Sequence, residues 1–366
     1  MKTICDIDSD VLKAVRRGVA IPAQVLALNE DGSFAPNYQR ALCRYFIDSG
    51  VGGIAVGVHS TQFAIRDPEY GLFETVLRET SRFIDEWCRF RGKKILKVGG
   101  VCGRTEQALA EAEFEVSCGY DAVLLSLAAF HDASVKTMLE HCRKVAEVVP
   151  LIGFYLQPRV GGRYLPLEFW RQFVRIENVL AVKIAPFNRY CTFDVVRALA
   201  ESGREDLTLY TGNDDNLLID LLSEYEIGGR KIRIRGGLLG HWSVWTKRAV
   251  ELLDEIHALT DSGEPIPPEL LTRAMKITDA NAAFFDAAHA FAGCIPGLHE
   301  VLHHQGLLPG IRCLDAEETL SEGQREEIRR VYRAYPELND DEFVAANLEL
   351  WLSDNPVESK SHPGAQ

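Results

Sequence analysis

Two apolar segments, Leu151-Ile-Gly-Phe-Tyr-Leu-Gln-Pro158 and Leu180-Ala-Val-Lys-Ile-Ala-Pro186, decide the fold of this chain. Both are nearly continuous in hydrophobicity, which is typical of strands in a parallel sheet that is covered on both faces. Each carries one reactive side chain, Tyr155 and Lys183, and the two lie 28 residues apart. Burial lowers the pKa of a lysine and makes its neutral amine available to attack a carbonyl group. We therefore expect an active site here; the alternatives are a strand-end lysine that reaches solvent and an ordinary core tyrosine.

Eight apolar, β-rich segments recur along the chain, and these two are the fifth and sixth. The eight segments are 19–28, 53–58, 95–101, 122–127, 151–157, 180–185, 207–211 and 232–239. Seven of them are separated from the next by a stretch with helical periodicity. The clearest of these stretches are 37–49, 106–118, 134–148, 167–175 and 194–201. Repeated β-α units at this spacing predict an α/β fold of the (β/α)8 TIM-barrel type.

The strand pattern stops after about residue 262, where Pro265-Ile-Pro-Pro268 interrupts the chain. Helical periodicity then predicts four helices. These are 269–285, 297–305, 318–335 and 341–351. The sequence thus predicts a barrel catalytic domain over 1–262 and a C-terminal helical domain over 263–352. The polar tail, 353–366, has the Pro, Ser and Gly content of a disordered segment.

The composition argues against several classes of protein. Hydrophobic residues make up 46% of the 366 residues and charged residues 25%, as in ordinary globular enzymes. The net charge of −13 disfavours a nucleic-acid partner, because neutralising phosphates requires a basic face. Without a membrane-length apolar run or an apolar N-terminal signal, we expect a cytoplasmic protein with no membrane partner. The nine cysteines include no Cys-x-x-Cys pair, which favours reduced thiols over disulfides or structural zinc.

Barrel enzymes carry their working residues at the carboxyl ends of the strands and in the loops that follow. This rule selects His59, Ser60, Thr61 and Gln62 after strand two, Phe130 and His131 after strand four, Tyr155 and Lys183 on strands five and six, Asn213, Asp214 and Asp215 after strand seven, and His241 after strand eight. Because strands five and six are neighbours, we expect the side chains of Tyr155 and Lys183 to converge in the barrel mouth. No spaced set of His and carboxylate ligands occurs at these ends, so we predict no metal.

Three motifs carry a resemblance to a known family. They are Tyr155-Leu-Gln-Pro158 followed by Gly161-Gly162, Val182-Lys183-Ile184, and Gly212-Asn-Asp-Asp215. In this order the chain resembles the dihydrodipicolinate synthase / N-acetylneuraminate lyase superfamily over roughly residues 18–335. The resemblance implies a class I aldolase, a barrel with a C-terminal helical domain that forms a Schiff base with a 2-oxo acid such as pyruvate. It also implies that no cofactor is needed and that the protein is a homotetramer or homodimer.

The resemblance further implies roles for individual residues. Lys183 would form the imine, and Tyr155 would move protons as a general acid–base. Ser60 and Thr61 would hold the substrate carboxylate, helped by backbone N–H groups at the same positions. The distal part of the substrate would face Asn213, Asp214 and Asp215. The two aspartates have a commoner alternative use, which is to cap the next helix.

The chain also departs from the family's pattern. His59 and Ser60 stand where the family has two threonines, and Phe130 stands where the synthases have a relay tyrosine that reaches across a dimer contact. The synthase arginine is out of register, with Val160 at its place and Arg159, our candidate for contacting the substrate, beside it. His59 titrates near neutral pH and could replace the missing relay, or only form a hydrogen bond in its loop. These departures argue against lysine-pathway synthase activity and leave the imine chemistry intact.

Four functions remain open at this point. The leading hypothesis is a Schiff-base lyase, either an aldolase or a dehydratase for a sugar-derived acid. A synthase or hydratase-aldolase with an aromatic or apolar aldehyde partner is the alternative that Phe130 and Trp242 suggest. A non-catalytic barrel that binds a small acid, as a sensor or assembly partner, is favoured by the altered strand-two motif and opposed by Tyr155 and Lys183. A metal-dependent barrel enzyme is the fourth hypothesis.

Overall fold

The structure is a computed structural model that describes residues 1–354. Its strands are β1 (Ala20–Pro22), β2 (Gly53–Val56), β3 (Leu96–Val101), β4 (Ala122–Leu125), β5 (Leu151–Leu156), β6 (Val179–Ala185), β7 (Thr208–Thr211), β8 (Glu224–Ile227) and β9 (Arg230–Leu239). All except β8 pair in parallel, in the order β1-β9-β7-β6-β5-β4-β3-β2. A parallel bridge between Ala23 and Ala55 joins the two ends, so the sheet is a nearly closed barrel.

One helix follows each barrel strand and covers the outside of the sheet. The helices are α1 (Ser9–Arg17), α2 (Pro36–Ser49), α3 (Phe73–Arg91), α4 (Thr105–Ser117), α5 (Val135–Ala146), α6 (Leu167–Phe173), α7 (Arg189–Ser202), α8 (Leu217–Leu222), α9 (Thr246–Ser262), α10 (Pro268–Phe284), α11 (Cys294–His304), α12 (Gln324–Ala334) and α13 (Asp341–Leu352). Helices α2 to α9 complete the eight β-α units. The predicted (β/α)8 barrel is confirmed.

The strands alternate between two apolar clusters, and this alternation positions the site. One cluster lies between the strands and the surrounding helices, and includes Tyr155 and Val182. The other fills the interior of the barrel, and includes Phe154 and Ala181. Successive side chains of a strand point to opposite faces of the sheet, so a single residue of register decides which cluster a side chain joins.

Helix α1 closes the amino-terminal end of the barrel, which the sequence analysis did not predict. Its buried residues Val11 and Val15 belong to the interior cluster. The hydroxyl of Tyr210 on β7 donates a hydrogen bond to the carbonyl oxygen of Val15, 2.7 Å away. With this end covered, a small molecule reaches the barrel interior from the carboxyl end of the strands.

The hairpin of β8 and β9 also differs from the prediction, which began the eighth strand at residue 232. Strand β8 pairs antiparallel with the first residues of β9 through a turn at Gly228 and Gly229, both with positive φ. Two glycines in this conformation suit the two-residue turns that fit strand twist. Strand β8 alternates exposed glutamates with half-buried residues, so it lacks the continuous apolar run by which the other strands were recognised.

The C-terminal helices pack against the barrel, and a C-terminal helical extension is thus confirmed. Helix α13 lies on α2, where Trp351 packs against the ring of Tyr45 at 5.4 Å between centroids. Residues of both parts belong to one apolar cluster. The division into domains at residue 262 stays a prediction, although α9 does end at Ser262. The sequence predicts a disordered tail over 353–366, and from residue 355 onward this tail lies outside the residues that the structure describes.

Candidate active site

Lys183 lies in the barrel interior near the carboxyl end of β6. It pairs in register with Phe154 of β5 and Tyr210 of β7, and its Nζ lies 4.4 Å from the centroid of the Phe154 ring. Only 8% of the residue is exposed. Burial lowers the pKa of its ammonium group to about 8, and the negative charge of Asp214 opposes that shift. About a tenth of this lysine is therefore a neutral, nucleophilic amine at pH 7.

A pocket of about 680 Å³, counted out to its mouth, opens around Lys183 at the carboxyl end of the barrel. Its polar side consists mainly of His59, Ser60, Lys183 and Asp214. Among the described residues that line it, Lys183 is the one lysine or arginine and Asp214 the one carboxylate. The pocket thus holds one amine nucleophile, Lys183, with two groups beside it that can exchange protons, His59 and Asp214, and the thiol of Cys294.

Asp214 lies in the loop that follows β7 and is held there by the elements around it. Its Oδ1 accepts a hydrogen bond from the backbone N–H of His241 at 3.2 Å, and its carbonyl oxygen accepts one from Nδ2 of Asn281 at 2.7 Å. Asn281, on α10, also bonds the ring Nδ1 of His241 at 2.6 Å. Burial raises the pKa of the Asp214 carboxyl to about 7, while the charge of Lys183 lowers it. Helix α8 begins at Leu217 and its N-cap residue is Asn216, so Asp214 is not its cap.

His59 lies across the pocket from the β7 loop, in a short turn after β2. Burial, and to a lesser degree the charge of Lys183, lower the pKa of its imidazole to about 4. The ring is therefore neutral at physiological pH and offers one N–H donor and one nitrogen acceptor. The predicted position of His59 beside the nucleophile is in keeping with this geometry, and its catalytic role stays a prediction.

Tyr155 does not lie with Lys183. The register of β5 places Phe154 beside the lysine, and Tyr155 therefore points to the outer face of the sheet. There its ring packs on Trp170 of α6 at 5.3 Å between centroids, and its hydroxyl oxygen accepts the backbone N–H of Leu165 at 3.2 Å. Burial raises the pKa of this phenol above its ordinary value. The expected convergence in the barrel mouth is wrong, because a register shift at the start of β5 decides the face and the 28-residue spacing does not.

Ser60 and Thr61, the two residues predicted to hold a carboxylate, both use their hydroxyl groups to bond backbone carbonyl oxygens just after β1. Ser60 Oγ donates to the carbonyl oxygen of Ala23 at 2.7 Å, although Ser60 also lines the pocket. Thr61 Oγ1 donates to Gln24 at 2.7 Å and accepts from the N–H of Gly57, while the Thr61 backbone N–H donates to Val58. Of this pair, only Ser60 faces the pocket.

The other predicted substrate contacts lie away from the pocket lining. Asn213 is buried behind it, where its Oδ1 accepts the N–H of Phe187 at 3.0 Å and its Nδ2 donates to Asp220 at 2.9 Å. Arg159 and Asp215 are exposed. Because none of the three lines the pocket, the structure does not bring them to Lys183.

The aromatic candidates from the strand ends are likewise elsewhere. The ring of Phe130 is buried within its own chain against His141, at 4.4 Å between centroids, so it does not reach toward a neighbouring subunit. Trp242 and His241 are buried behind the pocket. Gln62 uses its Oε1 to accept the N–H of Leu314 at 2.6 Å, and His131 is an exposed partner of Asp132.

The remaining wall of the pocket is aromatic and was missed by the sequence analysis. It is formed by Phe187 after β6, by Phe285 and Phe291 from the segment between α10 and α11, and by Phe154. The rings of Phe187 and Phe291 meet edge to face at 5.8 Å, and both residues have left-handed φ values, 51° and 73°. Backbone strain of this kind often marks functional sites. Phe187 could have been found by its place after strand six, whereas nothing local marks Phe285 or Phe291.

Two broader features of the described residues bear on function. Within residues 1–354, no three His, Cys, Asp or Glu side chains gather in an arrangement suited to a metal ion. Over the same range, no helix has the length and apolar character that crossing a bilayer requires.

Comparison with known proteins agrees with this architecture. A model of the dihydrodipicolinate synthetase family matches residues 17–230. The 4-hydroxy-tetrahydrodipicolinate synthase of Cyanothece sp. is 23% identical over 266 residues, which cover 68% of this chain and 85% of that protein.

Solved structures show the same fold. A monomeric dihydrodipicolinate synthase variant superposes with a TM-score of 0.69 at 18% identity, covering 88% of this chain and 98% of the other. The chloride-inhibited dihydrodipicolinate synthase from Acinetobacter baumannii, solved with pyruvate, gives a TM-score of 0.68 at 20% identity and covers 86% and 98%. Because the family model spans more than half of the sequence, this chain belongs to the dihydrodipicolinate synthetase family, whose members are class I aldolases and lyases.

Proposed function

We propose that this chain is a Schiff-base lyase that acts on a 2-oxo acid and uses Lys183 as the imine-forming residue. The observation that carries the proposal is a single buried lysine with a pKa of about 8, at the floor of a pocket at the carboxyl end of the barrel. Barrel enzymes place their chemistry at that end, and a desolvated lysine is a suitable nucleophile for ketones.

The chemistry follows from the amine. The neutral Lys183 nitrogen adds to the ketone carbon of the 2-oxo acid, and loss of water from the resulting carbinolamine leaves a protonated imine. Its positive nitrogen accepts the electron pair released when the neighbouring carbon–carbon bond breaks, which gives an enamine and an aldehyde. Protonation of the enamine and hydrolysis of the imine then return the lysine.

The walls of the pocket favour an apolar or aromatic aldehyde portion over a polyhydroxylated one. Phe187, Phe285 and Phe291 line the pocket, and we propose that the part of the substrate beyond the ketone extends along them. Of the three polar residues expected to meet sugar hydroxyls, Asp214 lines the pocket, whereas Asn213 and Asp215 lie outside the lining. Apolar walls with few polar groups are typical of sites for such ligands.

The acid end of the substrate has a smaller set of partners. His59 and Ser60 line the wall beside Lys183, and we propose that the neutral imidazole donates its N–H to the substrate carboxylate. Lysine-pathway synthase activity, which is that of the named relatives, is not part of the proposal. Phe130 offers no hydroxyl for a relay, and its ring is buried in its own chain.

Assembly and location complete the proposal. We propose a homodimer or homotetramer, and light scattering on the purified chain tests this. A cytoplasmic location is supported by the nine cysteines, which all lie within the described residues and are all free thiols. Reduced thiols of this kind are usual in reducing compartments.

Borohydride trapping tests the function directly. The full chain is incubated with pyruvate and then sodium borohydride, and the modified peptide is identified by mass spectrometry. We expect a reduced pyruvyl adduct on Lys183, and none on Lys97, a second strand lysine that is also 8% exposed. If neither pyruvate nor a panel of 2-oxo acids labels Lys183, the lyase proposal is wrong and a non-catalytic barrel that binds a small acid takes its place.

A further inference from the structure

We propose that Asp214 is the catalytic proton carrier for the imine chemistry at Lys183. This inference rests on the proposed Schiff-base function and assigns the step that a tyrosine was expected to perform. It depends on four observations: where Asp214 lies, how it is held, which other groups are available, and how its charge interacts with the lysine.

The β7 loop brings Asp214 to the nucleophile. Both residues line the same pocket, and their charges interact. The loop also passes directly against the lysine side chain, because a Cβ added at Gly212 would lie only 2.8 Å from Lys183 Cε. Gly212 therefore permits the close approach that places Asp214, two residues later, beside the amine.

The carboxylate of Asp214 is held in place and still reaches the pocket. One oxygen accepts the N–H of His241, and Asn281 of α10 fixes the backbone carbonyl of the same residue. Besides the backbone N–H groups of His241 and of Asp214 itself, no described residue is found to donate a hydrogen bond to this carboxylate, so it can still exchange a proton with a substrate. A group that transfers protons needs this combination of fixed orientation and one available atom.

The other titratable groups near the site are poorly suited to the role. Tyr155 points to the outer face of the sheet. His59 is held neutral by burial, with its pKa lowered to about 4, so it rarely carries a proton that it could give up. Burial raises the pKa of the Cys294 thiol, which lines the pocket from α11 and stays protonated.

The charge environment of Asp214 supports the assignment. Lys183 faces it from β6, Cys294 from α11, and His241 through its backbone N–H after β9, while Asp215 is its neighbour in the chain. Burial raises its pKa to about 7 against the lowering effect of Lys183. Both protonation states are therefore populated near neutral pH, where a general acid–base works best.

One group can carry every proton of the sequence in turn. The Asp214 carboxylate takes the proton that the lysine nitrogen loses on addition and gives it to the former carbonyl oxygen. The carboxylate then takes a second proton from solvent at the pocket mouth and, as the acid, gives it to that oxygen, which leaves as water. Hydrolysis of the final imine returns this proton to solvent. In cleavage, the carboxylate takes the proton of the substrate hydroxyl as the carbon–carbon bond breaks, and the acid then protonates the enamine carbon.

Exchange of the pyruvate methyl protons in D2O tests the assignment without knowledge of the aldehyde partner. The enamine forms only if a base removes a methyl proton from the imine, so exchange can be followed by the loss of the methyl proton NMR signal. The variants are Asp214→Asn, which keeps an oxygen for the His241 N–H, and Asp214→Glu. Asp132→Asn is the control, since Asp132 is a fully exposed carboxylate at the same end of the barrel.

We expect Asp214→Asn to lower the exchange rate by about 100-fold or more and to remove the contribution of the carboxyl to the pH profile, so that the acidic limb reports Lys183 alone. Borohydride should still trap pyruvate on Lys183 in this variant, and Asp214→Glu should recover part of the rate. Exchange at the wild-type rate in Asp214→Asn, with an unchanged pH profile, would overturn the role of Asp214 alone. Absence of both adduct and exchange in the wild type would overturn the proposed function and this role with it.

Discussion

Two strand lysines, Lys97 on β3 and Lys183 on β6, are equally buried and are used in opposite ways. Each has 8% of its surface exposed. Lys97 points to the outer face of the sheet, where its Nζ donates to Asp85 at 2.7 Å and to Ser81 at 3.0 Å. Lys183 points into the barrel, where its Nζ lies over the ring of Phe154.

The difference lies in the surroundings of the amine and not in the degree of burial. A carboxylate and a hydroxyl in direct hydrogen bonds give the amine of Lys97 permanent partners and fix its position. An aromatic ring and a carboxylate that is itself hard to ionise leave Lys183 with a pKa of about 8. A buried lysine in a sequence therefore predicts chemistry only when the sheet directs it away from a permanent partner.

Replacing each lysine by alanine should give the largest effect and should separate the catalytic use of Lys183 from the structural use of Lys97. Lys183→Ala should abolish the pyruvyl adduct and lower methyl-proton exchange by about 10⁴-fold or more, because no other lysine among the described residues lines the pocket and an imine requires an amine. Lys97→Ala should keep the adduct on Lys183 but lower the free energy of unfolding by about 1–3 kcal/mol, since charged hydrogen bonds are lost. Exchange rates and urea unfolding measure both. Loss of the adduct in a folded Lys97→Ala protein would contradict the comparison.

The pH dependence of amine reactivity gives the next largest effect. Only a neutral amine reacts with acetic anhydride, so labelling of Lys183 should fall about tenfold per pH unit well below its pKa of about 8, or about 50-fold from pH 8 to pH 6. Asp214→Asn should move the midpoint to lower pH, because the carboxylate stabilises the ammonium form. Lys97 serves as the internal control in the same peptide maps. A midpoint near that of an exposed lysine would show that burial does not act on Lys183 as described.

Removing one ring from the aromatic wall of the pocket should have a smaller effect, a change of about tenfold in KM. Phe291→Ala should raise KM for an aryl-substituted 4-hydroxy-2-oxo acid by about tenfold, since an aromatic contact contributes about 0.5–1.5 kcal/mol beyond area burial. Trapping with pyruvate, which has no aryl group, should be unchanged. Phe193→Ala, at an exposed phenylalanine of α7, is the matched control. An unchanged KM would remove the support for an aromatic partner.

The barrel could be predicted because its strands are apolar along their whole length. The predicted segments 53–58 and 122–127 begin at the observed first residues, Gly53 and Ala122. Strand β8 was missed because its alternating, half-exposed pattern belongs to a hairpin outside the parallel sheet. Continuous hydrophobicity therefore identified the strands that are buried on both faces, and it missed the half-exposed strand β8.

The site could be predicted only in part, for two physical reasons. Lys183 and Asp214 were selected by their place at strand ends, which topology alone decides. The face of Tyr155 depends on a register shift at the start of β5, and a sequence spacing carries no information on that register. Phe285 and Phe291 come from a segment about 100 residues after the lysine, and only tertiary packing brings them to the mouth.

The smallest expected effect on activity concerns Tyr155, which the family resemblance makes the second catalytic residue after Lys183. Tyr155→Phe should leave trapping and proton exchange within about threefold of wild type, because the hydroxyl faces away from the pocket. It should lower the free energy of unfolding by about 1–2 kcal/mol, since the buried N–H of Leu165 loses its acceptor. Tyr210→Phe, which removes a buried hydroxyl bonded to Val15, controls for the stability change. A 100-fold loss of exchange in a folded Tyr155→Phe protein would mean that β5 shifts its register in the working enzyme, and the contrast between the two faces of the sheet would then describe only its resting state.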